Sequence, residues 1–97
     1  MTWHLASAEA RHAASPETFE IPTREDRDTV VPGQLVKLIF EAGDFAERMW
    51  VRVVRRDDVG YMGELRNNPL HPMGLTFGTA IRFGPEHITV IHPVEDF

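Results

Sequence analysis

The feature that most constrains this chain lies between residues 35 and 66. There, two β-rich runs and a third, shorter one follow one another with turn residues between them. The first run, Leu35 to Glu41, alternates Val36, Leu38 and Phe40 with Leu35, Lys37 and Ile39, so both faces are partly apolar. The second, about 47–56, sets Met49, Val51 and Val53 against Trp50, Arg52, Val54 and Arg56. The third, Gly60 to Arg66, sets Tyr61, Gly63 and Leu65 against Met62, Glu64 and Arg66. Ala42-Gly43-Asp44-Phe45 has hairpin length, and Asp57-Asp58-Val59-Gly60 has hairpin chemistry. Three antiparallel strands in a meander are expected, with Gly63 marking a bulge or a close backbone approach.

The flanking segments read as covers for that meander. Residues 3–13 are Ala-rich without β-branching and predict a helix ending before Pro16. Phe19 and Ile21 alternate with polar neighbours and are expected to anchor in the core. Thr23-Arg24-Glu25-Asp26 starts a short helix over about 23–30, with its acids and arginines on a solvated face. Residues 67–74 hold two prolines, two asparagines and a glycine and form the longest loop between strands. A fourth strand over 79–83, a 3₁₀ turn at Gly84-Pro85-Glu86-His87 and a fifth strand over 88–92 complete the core; the acidic tail follows.

The expected fold is mainly β: a small SH3-like barrel, or a strongly bent antiparallel sheet of about five strands, with a short N-terminal helical segment. Ninety-seven residues make one domain, 1–97, in which 1–32 packs on a β-barrel-like core over 33–92.

Several residues carry a resemblance. Gly33-x-x-Val36-Lys37-Leu38-Ile39-Phe40, Glu47-Arg48-Met49-Trp50-Val51 and Tyr61-x-Gly63-x-Leu65-x-Asn67-x-Pro69, continued by Leu75-x-x-Gly78 and Pro85-x-His87-Ile88, resemble the YegJ-like bacterial proteins of unknown function. The likeness spans about 33–91; Gln34 and Thr79 stand at turn positions where an acid is the commoner residue. It implies a small β-rich bacterial domain and no catalytic residue or ligand.

Charge narrows the function classes. The net charge is −5, which opposes non-specific nucleic-acid binding. The charge is uneven: residues 1–47 carry nine acids against four bases, 48–82 three against six, and the remainder three against none. The acidic ends are expected to pair with the basic middle; the other reading is a face for an anionic partner. The chain has no cysteine, which excludes disulfides and thiolate chemistry and fits a cytoplasmic protein. No apolar run is long enough to span a bilayer, and the start does not read as a signal peptide.

Catalytic groups are sparse. Ser7 and Ser15 lie in the N-terminal segment, away from any nucleophile elbow, and the glycines punctuate turns. Glu47 with Glu64 is the one acid/base pair to consider, and the five histidines lack metal-ligand spacing. No metal, cofactor or catalytic residue is assigned. The expected function is non-enzymatic binding of a protein or peptide in the cytoplasm, through Trp50, Arg52, Tyr61, Asn67, Asn68 and His87. Single-stranded nucleic-acid binding by the same aromatic and arginine-bearing face is the alternative. A small hydrolase using carboxylates or histidines comes last, and oligomeric state is left open.

Overall fold

A computed structural model describes residues 2–94; the acidic tail at 95–97 lies outside them. Strands β1 (His4–Leu5), β2 (Gln34–Ala42), β3 (Phe45–Arg56), β4 (Tyr61–Leu65), β5 (Ala80–Phe83) and β6 (Val90–Val94) form one antiparallel sheet. Helices α1 (Ala8–Ala14) and α2 (Arg24–Asp28) precede the main strands, and a 3₁₀ turn (Pro85–His87) joins β5 to β6.

The meander β2-β3-β4-β5 is as expected, and the last strand returns to pair with the first of the four: Val36 opposite Ile91, Lys37 opposite Val90. This is the strand order of an SH3-like barrel. The sheet curls into a half-barrel, since β5 pairs only with β4 and β6 only with β2 among the described residues. β1 adds two residues to the other end of the same β2 edge, with Leu5 opposite Phe40.

One face of the curl is the core. Val36, Leu38, Phe40, Met49, Val51 and Leu65 from β2, β3 and β4 are fully buried, and Ile81, Phe83, Met73, Ile88 and Val30 close over them. Trp3 and Leu5 extend this layer, Trp3 lying 5.4 Å from Phe40. Gly63 is where backbone approaches most closely: a Cβ there would stand 2.5 Å from Val51 Cγ1 and 2.6 Å from the Arg52 carbonyl.

The hairpins follow their turn chemistry. Ala42 pairs directly with Phe45, leaving Gly43-Asp44 as a two-residue turn with Gly43 at φ 57°. At the next hairpin Asp57 Oδ1 accepts from the Val59 and Gly60 N–H groups.

Four expectations about local structure are corrected. Residues 3–7 are not helical: His4 and Leu5 pair with β2, and Ser7 caps α1 by accepting from the Ala10 N–H. A strand gains sheet hydrogen bonds for a segment whose alanines bury too little to dock a longer helix. Phe19 and Ile21 are half-buried rather than in the core; Phe19 lies under the Arg48 guanidinium, 5.3 Å away. Arg27 is buried at 6% exposure, although its helix is otherwise solvated. Its guanidinium donates to Glu9 Oε2 (2.6 Å), the Pro22 carbonyl (2.9 Å) and the Pro85 carbonyl (3.0 Å), so burial is compensated by bonds to three other segments.

The fourth correction concerns the face of Arg56, and its cause is a β-bulge opposite Gly63. Val53 pairs with Gly63 but Arg55 with Met62, so Val54 is an extra residue in β3. Beyond it the alternation of faces reverses. Arg56 lies opposite Tyr61, places its guanidinium 5.5 Å from the Tyr61 ring and donates to the Asp28 carbonyl. It therefore leaves the face that carries Trp50 and Arg52.

Candidate functional site

The outer face of the sheet is built by strand alternation. Residues flanking the buried Met49, Val51 and Val53 point outward, which places Arg48, Trp50 and Arg52 in one line along β3. Pairing across strands gives two rows. In one, Val90, Lys37 and Trp50 lie side by side, and the Arg66 N–H donates to the Trp50 carbonyl to continue the row onto the end of β4. In the other, His92, Leu35, Arg52, Glu64 and Ala80 run from β6 to β5.

Trp50 sits half-buried in the middle. Lys37 Nζ lies 4.7 Å from its ring centroid, and the His92 ring meets it edge-on at 5.4 Å. Both neighbours come from strands of the sheet, and α1 packs against the 3₁₀ turn. Arg52 donates to Glu64 Oε1 at 3.2 Å, a cross-strand pair with both side chains about two-fifths exposed. On the same face Arg82 makes a two-pronged bond to Asp57, 3.1 and 2.9 Å, which holds the Asp57 carboxyl far below the usual carboxylate range. Arg66 lies 5.0 Å from the Phe77 ring.

The six residues expected to form a binding patch divide. Trp50, Arg52 and Asn67 come together. Asn67 Oδ1 accepts the Trp50 N–H, so this side chain extends the β3–β4 ladder past the last residue of β4. Asn68 follows it, exposed. Tyr61 does not belong: it is fully buried, stacks on Phe83 at 5.2 Å and donates its hydroxyl to the Arg27 carbonyl at 2.8 Å. Its alternation with Gly63 and Leu65 already places it on the inner face, opposite Trp50. His87 is likewise elsewhere, on the 3₁₀ turn that packs against α1 and α2. Its Nδ1 accepts the Gly84 N–H at 2.9 Å; burial lowers its pKa, and the nearby carboxylates of Glu86 and Glu9 only partly oppose this.

Other expectations are redirected. Among the described residues the N-terminal acids do not neutralise Arg52 and Arg82: Glu9 serves Arg27 and Arg24, Glu41 serves Arg11 and His4, and Arg52 and Arg82 take Glu64 and Asp57 from within the sheet region. Glu47 and Glu64 are not a pair. Glu47 and Arg52, the partner of Glu64, are five positions apart on β3, roughly 17 Å at about 3.3 Å per residue. Glu64 lies on the outer face, whereas Glu47 shares the inward alternation of Met49. There Glu47 accepts the Leu70 and His71 N–H groups at 2.9 and 3.0 Å and the His71 ring nitrogen at 2.9 Å.

Glu47 is a residue whose role the sequence conceals. Burial pushes its carboxyl up, but the donors from Leu70 and His71 outweigh this and hold it below the ordinary glutamate range. A carboxylate near the start of a strand does not reveal its partner from the local sequence. Only the loop that folds back onto it, with His71 stacked on Phe45 at 4.3 Å, makes it the anchor of residues 67–75.

Among the described residues no three metal-ligating side chains come together. A groove of about 400 Å³ lies between α2 and β6, lined by Pro22, Asp26, Thr29, Gln34, Ile91 and Pro93, and contains none of the six residues. Among the described residues no helix is long and apolar enough to cross a membrane. No family model, curated protein or solved structure matches the chain.

Proposed function

We propose that the chain is a non-enzymatic binding module for another protein or a peptide, acting through the outer sheet face centred on Trp50. One observation carries this reading: a half-buried tryptophan stands in the middle of that face, with Lys37 across one strand boundary and Arg52 two places along its own strand. Tryptophan and arginine are the side chains that most often dominate binding energy, and they do so when central in a patch. Leu35 and Val90, the latter 37% exposed, supply apolar area around the ring. Asn67 ties the loop to the backbone of Trp50 and keeps the edge of the face ordered, which lowers the entropy lost on docking.

The same aromatic and basic groups could stack and neutralise a single strand of nucleic acid, but a net charge of −5 works against a polyanion. The resemblance to YegJ-like proteins and the cysteine-free composition lead us to place the module in a bacterial cytoplasm.

Panning a displayed peptide library on the wild type and on Trp50→Ala tests the assignment. Enriched peptides that bind the wild type and lose affinity on Trp50→Ala support it. Failure to enrich any peptide, or binding indifferent to Trp50→Ala, overturns it. Urea denaturation of both proteins shows whether the substitution leaves the fold intact.

A further inference from the structure

We infer that the occupant of the outer face is an extended acidic segment whose carboxylates, two residues apart, meet Lys37 and Arg48. This rests on the binding reading above and names the chemistry of the partner.

The cations on this face are neutralised unequally. Arg52 and Arg82 have Glu64 and Asp57 as partners. Lys37 and Arg48 do not. Among the described residues, Lys37 contacts the Trp50 ring at 4.7 Å and Arg48 the Phe19 ring at 5.3 Å, and neither meets a carboxylate. A ring face orients a cation without cancelling its charge. Two oriented, uncompensated cations in a chain of net charge −5 are therefore a local departure from the charge of the whole molecule.

Their spacing follows from the register. Lys37 lies opposite Trp50, and Arg48 is two places along β3 on the same face. Such diagonal neighbours stand about 7–8 Å apart. In an extended chain, side chains at i and i+2 share a face and stand about 7 Å apart, so an acid-x-acid segment matches the pair. Trp50, Leu35 and Val90 lie beside these cations and give apolar residues flanking the acids a surface to rest on.

The test uses four probes on the whole chain: fluorescein-labelled peptides containing Leu-Glu-Val-Glu-Leu, Leu-Gln-Val-Gln-Leu or Leu-Val-Glu-Glu-Leu between Gly-Ser flanks, and a ten-nucleotide oligothymidylate. We expect the first peptide to bind most tightly, with affinity falling as salt rises. Lys37→Gln and Arg48→Gln should each weaken it about two- to fivefold, in the range of exposed ion pairs. Arg24→Gln, at a cation on α2, should leave it unchanged.

Equal binding of the glutamine peptide, still lost on Trp50→Ala, would overturn the acidic partner while leaving the binding face standing. Equal binding of the adjacent-acid peptide would overturn the spacing. Oligothymidylate binding more tightly than every peptide would give the face to nucleic acid. Absence of peptide binding, or binding unaffected by Trp50→Ala, would overturn inference and binding face together.

Discussion

Replacing Tyr61 by phenylalanine tests whether the N-terminal segment is joined to the sheet by a specific bond. The Tyr61 ring is fully buried and stacks on Phe83, so the substitution keeps the volume and the stack and removes one hydroxyl. That hydroxyl donates at 2.8 Å to the carbonyl of Arg27, the residue whose guanidinium ties α2 to Glu9, Pro22 and Pro85. A hydrogen bond of this kind contributes about 0.5–1.5 kcal/mol net, and leaving a buried carbonyl without its donor costs about 1–3 kcal/mol. We expect a loss of about 1–2 kcal/mol. At about 4–8 °C per kcal/mol for a domain of this size, the melting temperature should fall roughly 5–15 °C. Urea unfolding followed by tryptophan fluorescence reads the change as a lower midpoint at constant slope. Stability within about 0.3 kcal/mol of wild type would refute the reasoning, because it would mean that the Arg27 carbonyl finds another donor and the joint is not sealed. Tyr61 has no exposed surface, so peptide affinity at the outer face should be the same in both proteins.

Three further substitutions probe other features. Gly63→Ala forces a methyl group against Val51 and the Arg52 carbonyl and should cost about 1–3 kcal/mol or more, measured by the same unfolding assay. Arg27→Met leaves Glu9 without its closest partner; removing one member of a buried pair costs about 3–5 kcal/mol, and because Glu9 is 36% exposed we expect the lower end of that range in urea midpoints. Glu47→Gln should change the acid response. The folded-state carboxyl titrates below its ordinary value of 4.5, so its stabilisation is present above that pH and is lost as pH falls through the lower, folded value. Midpoints measured from pH 7 to pH 3 should therefore show the wild-type advantage constant at neutral pH and shrinking below about pH 4.5.

Much of the fold is legible from residue order because local chemistry and long-range pairing agree there. Alternation in 35–41 and 47–53, the Asp57 and Gly60 turn and Pro85 before the last strand each specify their element without help from elsewhere. The N-terminal third is less legible for a physical reason. Alanines at 6, 8, 10 and 13 favour helix, but hydrogen bonds to the free edge of β2 compete for residues 4–6, and that edge is invisible in the local sequence. Arg27, expected on a solvated face, and Glu47, considered only as a partner of Glu64, are misplaced for the same reason: their partners lie far along the chain. Of the candidate site, Trp50, Arg52 and Asn67 follow from alternation and proximity to a loop. Tyr61 is separable by parity alone, whereas Arg56 is displaced by a bulge that no residue in β3 announces.

That extra residue, Val54, divides the longest strand into two segments with different attachments. Upstream of it, outward positions carry the row of Arg48, Trp50 and Arg52; downstream, Arg56 is held to the N-terminal segment through Tyr61 and Asp28. Substitutions at Trp50 and Arg52 thus act on the outer face, whereas a change at Arg48 also reaches the N-terminal segment through Phe19. Deleting Val54 would turn the irregular ladder into a regular one and leave Arg56 two places from Val53, on the inner side opposite Tyr61, so the tether should survive loss of the bulge residue.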